Sequence, residues 1–392
     1  GNLALTATTT GANNTGVGNN VLTANTTGTQ NTAVGACALD ANTTAAQNTA
    51  VGVCALTTNT TGDCNAAVGY GSLLFNTTGS NNSAFGREAM YANTTASENT
   101  GIGNAALQRN TTGATNTALG HRGLKENTTG TSNVAVGAYA LKTNTTGGCN
   151  VGMGNNAFNC NTTGHSNVGI GHEALNCNTT ACQNTAVGYK AGWSTTTGDD
   201  NVMIGNDAGC SITTGFTNTL VGQDAGCSIT TPEGNTFIGH SAAGNHVSGN
   251  NNIAIGINSG QDQVRDLTGS CTHNIVIGNN SSENAYIKID WTVTSDLRDK
   301  TNIEDVPHGL NFVNQLNPIK FQFKKSREDD TPTGSVRYGF KAQDVLALEG
   351  ENPVIIDNSD PENLKYKGET LVPVLVNAIK ELKAEIEELK KK

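Results

Sequence analysis

Charge is scarce in this chain. Only 14% of its 392 residues are Asp, Glu, Lys or Arg, aromatics make up 5%, and there are seven prolines. With so few large apolar side chains in the first two-thirds, a core of the ordinary kind built from Leu and Phe is hard to assemble, although small side chains in a regular array still pack densely. The net charge of −10 argues against a nucleic-acid partner. No apolar run is long enough to cross a bilayer, so no membrane insertion is expected. No Cys/His spacing has the form of a zinc site, and glycine pairs such as Gly101/Gly103 lack the third glycine and following helix of a nucleotide loop. No metal and no cofactor is therefore expected. The ten cysteines all precede residue 272, and Cys37/Cys54, Cys160/Cys177 and Cys210/Cys227 are each seventeen apart. Parallel side chains on adjacent turns make a disulfide awkward, so small buried thiols are expected.

What the chain has in abundance is Gly, Asn and Thr, in strict order. Glycine recurs every seventeen residues from Gly18, Gly35, Gly52 and Gly69 through to Gly256, fifteen times without insertion. Asparagine lies four residues before each, as Asn14, Asn31, Asn48, Asn65 and onward to Asn252, and the residue before each glycine is apolar. After a 22-residue spacer, Asn274, Ile277 and Gly278 give an isolated sixteenth copy. Polar and apolar residues alternate within Asn31-Thr-Ala-Val-Gly35, which suits a short strand. A unit this short cannot bury a core alone, so units must stack. Residues 1–278 are thus predicted to form a parallel β-solenoid, one turn per repeat, with the asparagines bonded in an inward ladder and the glycines turning the chain where a Cβ would clash or φ is positive.

Two rows mark a change of section near residue 190. A large apolar residue follows four after the glycine from Leu22, Leu39 and Leu56 to Phe158 and Leu175, and then becomes Gly192, Gly209, Gly226, Ala243 and Gly260. The Asn-Thr-Thr row, Asn25 to Asn178, ends at the same place. The leucine row reads as an exposed face that other copies of the chain would cover. The Asn-Thr-Thr units match the glycosylation sequon, but they recur because the repeat demands them. The threonine rows form no flat Thr-x-Thr face of the ice-binding kind. These units resemble the head repeats of trimeric autotransporter adhesins and repeats of phage tail fibres, and that resemblance implies three β-rolls side by side.

Composition shifts sharply towards the end. Residues 1–290 hold 8 Lys/Arg and 15 Asp/Glu, whereas 291–392 hold 15 and 18 in a third of the length. Residues 279–294 read as an extended connector and 295–392 as a small α+β domain ending in a helix over 371–392. Val372, Leu375, Ile379, Leu382, Ile386 and Leu389 form a heptad seam on that helix. The segment Ser295-Asp-Leu-Arg-Asp-Lys300-Thr-Asn-Ile, then Gly309-Leu310, Leu316–Pro318, Tyr338-Gly339-Phe340-Lys-Ala-Gln343-Asp-Val345 and Leu364-Lys-Tyr366, resembles the endosialidase-type intramolecular chaperone, a self-cleaving family at the ends of viral fibres. The resemblance implies a homotrimer and a Ser295–Lys300 dyad that cuts the Thr294–Ser295 bond, with Asp296 and Arg298 as supporting residues. The expected function is a virion-surface, extracellular tail fibre whose partners are itself and a host cell-surface glycan or protein. The alternatives are a polysaccharide depolymerase tailspike and a bacterial surface adhesin. A depolymerase would need paired carboxylates, and Asp40, Asp63, Glu88 and Glu98 occupy different places in the repeat.

Overall fold

The computed structural model describes residues 1, 3–246, 248–261, 267, 271–279, 281–282, 295–324, 327–359 and 361–392. Two compact units divide the chain, Gly1–Ser281 and Ser282–Lys392. The first is a parallel β-solenoid. Sixteen three-residue strands, β1 (Thr15–Val17) to β16 (Ile275–Ile277), stack in sequence order into one sheet. Pairing is in register by one repeat, as in Thr32↔Thr49 and Val34↔Val51; only the last pair, Ile253↔Ile275, spans the 22-residue turn.

Each turn is built from backbone bonds to the turns on either side. Thr32 donates its N–H to Asn48 O at 2.8 Å, and Gly35 donates to Val17 O at 2.8 Å. Seventeen residues close a turn because the chain bends at left-handed positions, among them Gln30 (φ 60°), Cys37 (φ 58°) and Leu39 (φ 51°). At the corner that recurs in every repeat only glycine fits. Gly35 has φ 132°, and a Cβ there would stand 2.4 Å from Gly52 O.

Inside runs a spine of amides. Asn48 donates its N–H and Nδ2 to Asn31 Oδ1 at 3.0 and 3.2 Å, and Asn65 does the same to Asn48 at 2.9 and 3.1 Å. Nδ2 also donates to a main-chain carbonyl across the coil, as Asn48 does to Gly62 O at 2.9 Å. A second ladder joins the Asn-Thr-Thr asparagines, for example Asn42 Nδ2 to Asn25 Oδ1 at 2.8 Å. These sequon asparagines are fully buried from Asn25 to Asn178, closed to glycosylation in the folded chain. The adjacent threonines spend their hydroxyls on the next turn, as Thr43 Oγ1 does on Thr60 O at 3.1 Å.

The leucine row overturns its sequence reading. Leu22, Leu39, Leu56 and their successors are fully buried within the single chain, because the left-handed corner they occupy swings the side chain into the coil. The uncovered apolar stripe lies on the strands instead, at the residue before each glycine. Val17 is 56% exposed and Leu119 46%, and Phe85, Ile102, Met153 and Ile170 are similarly open. The cysteines also differ from expectation. They sit on the turns rather than in the core; Cys64, Cys149 and Cys160 are exposed and the others half-buried. Partial burial still raises the Cys177, Cys210 and Cys227 thiols above their ordinary pKa.

Near residue 190 the change is one of core filling. The strand's central residue is Ala or Gly up to Ala186 and then becomes Met203, Leu220 and Phe237, all fully buried. Facing them, the leucine position becomes glycine, and the buried asparagine position becomes Thr195, Ile212 and Ile229. Volume lost at the corner is restored on the strand. The strand register and the Asn31-type ladder run through unbroken, as in Asn201 to Asn184 and Asn218 to Asn201.

The second unit packs α1 (Leu310–Gln315), the antiparallel pair β17 (Ile319–Lys324) and β18 (Pro332–Gly339), α2 (Ala342–Glu349), the short pair β19 (Ile356–Asp357) and β20 (Lys365–Tyr366), and α3 (Leu371–Lys391). Phe312, Val345, Ile355, Ile356, Leu371 and Val374 form its small core. Two carboxylates tie it together. Glu349 accepts from the N–H groups of Val354, Ile355 and Ile356 at 2.6–2.9 Å, and Glu381 accepts from Leu310 N at 2.6 Å, joining α3 to the start of α1.

Candidate active site in the C-terminal unit

Ser295 and Lys300 flank a single 3-10 turn, Leu297–Asp299. Asp296 caps that turn: its carboxylate accepts the Arg298 N–H at 2.9 Å and takes the Arg298 guanidinium in a fork, Nη2 to Oδ2 at 2.6 Å and Nε to Oδ1 at 3.1 Å. The fork holds the Asp296 carboxyl below its ordinary pKa and raises that of Arg298. Lys300 closes the turn by donating its N–H to Leu297 O at 3.2 Å. Six residues are thereby folded back on themselves, and Lys300 Nζ donates to Ser295 Oγ at 2.8 Å. This is the contact a hydroxyl nucleophile makes with an amine base. Thr294 and the rest of the connector from residue 283 onward lie outside the described residues.

The site is open. Ser295, Lys300 and every residue from 295 to 307 are exposed, including the apolar Leu297 at 68% and Ile303 at 68%. An amine acts as a base at neutral pH only where its surroundings disfavour the ammonium form. Leu297 lies within the dyad's turn and Ile303 three residues beyond Lys300, and both are uncovered in the single chain. Behind the site, Asn377 Nδ2 on α3 donates to Val306 O at 3.1 Å, anchoring the strand of chain that leads from the dyad to α1.

Residues 295–352 match the family model described as the chaperone of endosialidase. The C-terminal unit contains a chaperone-of-endosialidase domain at these residues. Solenoid and chaperone domain together fit a tail-fibre or tailspike-like protein. The match begins at Ser295, so both members of the dyad lie inside it. No curated protein and no solved structure matches the chain.

Sequence reading placed Ser295, Lys300, Asp296 and Arg298 in one group, and the geometry brings these four together in one turn. The role of Glu349 and Glu381 went unread, because a carboxylate that collects backbone N–H groups carries no signature in one sequence. Among the described residues, no group of three or more His, Cys, Asp or Glu side chains could hold a metal ion.

Proposed function

We propose that the chain is a structural and adhesive homotrimeric fibre of the phage tail-fibre type, displayed outside the virion and attached to a host surface glycan or protein. Its chaperone domain sets three chains in register and then cuts itself away at Thr294–Ser295. The observation that carries this reading is a Ser–Lys pair already in hydrogen-bond contact yet bare to solvent, with Leu297 in its turn and Ile303 just beyond it in the chain uncovered. Assembly would cover those residues, dry the amine and switch on the base, so cleavage would follow trimer formation. Two further surfaces support self-association. The strand stripe repeats along the solenoid, and the seam Val372, Leu375, Ile379, Leu382, Ile386 and Leu389 is exposed while Leu371, Val374 and Ala378 of the same helix pack on their own domain. A parallel copy supplies an identical stripe and an identical seam.

Ser295→Ala and Lys300→Ala should each give an uncut chain that still assembles, since one removes the nucleophile and the other its base. Denaturing gels of wild type and both variants, with sedimentation of the native products, decide the matter. A C-terminal fragment released from either variant at the wild-type rate would mean that the dyad is not the catalyst. Of the carboxylates weighed for a depolymerase, Asp63 accepts the Ala46 N–H at 2.7 Å and Glu88 pairs with Arg87 at 2.9 Å, so these two are held in structural contacts of the solenoid.

A further inference from the structure

The solenoid repeats almost everything except one edge. Residues one to six after each glycine carry all six Lys and Arg of the array up to residue 261, every Tyr of that stretch, and Trp193. On an aromatic-poor chain this concentration is large, and it is also periodic. Tyr70, His121 and His172 occupy the same place in the turn, three turns apart in each case, and each starts a cluster that extends onto the next turn.

In the first cluster the Arg87 guanidinium stands 6.0 Å from the Tyr70 ring, and Phe75 meets Tyr91 edge-on at 5.0 Å. In the second, His121 meets Tyr139 at 5.1 Å and Lys142 Nζ lies 5.6 Å from the Tyr139 ring. In the third, His172 stacks on Tyr189 at 5.5 Å with the planes 10° apart, and Lys190 Nζ sits 5.3 Å from Tyr189 and 5.8 Å from Trp193. Tyr70, Phe75, Tyr189 and Trp193 are 37–55% exposed. The turns between clusters present amides on this edge: Asn104 and Gln108 in one gap, Asn155, Asn156 and Asn159 in the other.

We propose that this edge is a saccharide ladder, with three clusters about 14 Å apart that each take a neutral pyranose of a surface glycan. The proposal rests on the fibre reading above and deepens it. A pyranose offers an apolar face of C–H groups and a rim of hydroxyls. Exposed rings fit the first, and the flanking amides, His and Lys donors fit the second. Neutral sugars fit better than anionic ones because four of the six cations are matched by acids: Arg87 by Glu88 at 2.9 Å, Lys190 by Glu173 at 3.7 Å, and Arg109 and Lys125 by Glu126 at 2.8 and 2.7 Å. A second copy of the chain is a poor occupant here, since the clusters are interrupted while the strand stripe is continuous. Three sites on one rigid edge add avidity, so weak single sites suffice.

The test uses the native full-length fibre on immobilised dextran, mannan and galactan, with alginate as the anionic comparison. Tyr70→Ala, Tyr139→Ala and Trp193→Ala are made singly and together, with circular dichroism checking that the exposed edge tolerates them. Retention on at least one neutral polysaccharide should fall several-fold for each single variant and more than about 100-fold for the triple variant. In a Trp291→Phe background, which leaves Trp193 as the chain's only tryptophan, that polysaccharide should change the fluorescence saturably. Equal retention of wild type and triple variant, no retention on any neutral polysaccharide, or stronger binding to alginate would each overturn the proposal. Adsorption to a panel of bacterial envelopes separates the two readings. Equal adsorption by wild type and triple variant leaves the fibre standing and removes this edge as its binding surface. Absence of adsorption by wild type overturns the adhesive reading itself.

Discussion

Asparagine is a poor strand former in isolation, yet it stands immediately before the strand in every turn here because its amide is both donor and acceptor in a buried column. Asn116 shows what depends on one amide. Its Nδ2 donates to Asn99 Oδ1 and to Gly130 O, and its Oδ1 accepts both the N–H and the Nδ2 of Asn133 at 3.0 and 3.1 Å. Asn116→Ala strands those partners away from water, and the cost should be about 2–3 kcal/mol, read as a lower denaturant midpoint. Asp296 makes a residue-scale prediction of another kind. Its folded pKa is depressed by Arg298, so the turn it caps is held above the ordinary carboxylate range and is released only as pH falls through the depressed value. By NMR the Asp296 carboxyl should titrate below its usual range in the wild type and move up towards it in Arg298→Ala, which removes the guanidinium but keeps the backbone N–H.

At the scale of the element, the core exchange near residue 190 ties a corner to a strand. Gly192 has φ 60°, and a Cβ there would stand 2.6 Å from Met203 Cε and 3.1 Å from Leu175 Cδ2. Gly192→Ala should therefore cost about 1–3 kcal/mol through overpacking and backbone strain. Met203→Ala should cost about 2–5 kcal/mol through the cavity it opens. The double variant should lose less than the two together, because the added methyl enters the vacated space; unfolding of all three chains measures the coupling. The sequence displayed both halves of this exchange, in Gly192 and in Met203, Leu220 and Phe237. Turn, strand and ladder were legible because their spacing is exact. The inward course of Leu22 and Leu39 was not legible, because a left-handed leucine is unfavourable in isolation and only closure of the coil selects it. The four residues of the dyad turn were legible through family resemblance alone, since Ser-x4-Lys has no periodic or compositional mark.

For the whole molecule, the surfaces left open are those that the proposed trimer would cover. Ile102 and Leu119 sit side by side on the strand stripe, paired in register. Replacing both with Asp would place two desolvated charges in a parallel interface. The expected outcome is loss of the native oligomer by sedimentation and, with it, loss of cleavage at Ser295. Leu382→Asp on the terminal seam should weaken assembly without altering the solenoid's own circular dichroism. A variant chain of Ile102→Asp and Leu119→Asp that sediments as wild type would remove the strand stripe from the interface.

The hydrogen bonds of the solenoid run along its axis, and each turn is held only by its two neighbours, which gives the chain a mechanical character. Tension applied between Gly1 and Ser281 of one chain loads those bonds turn by turn, so the array should yield in steps rather than all at once. Each step frees seventeen residues, roughly 55–60 Å of extended chain. The 22-residue turn before Ile275 frees more, roughly 75 Å. A force–extension trace of the uncut chain should therefore show a comb of even teeth with one wide interval, a ruler on which that single irregular turn can be located.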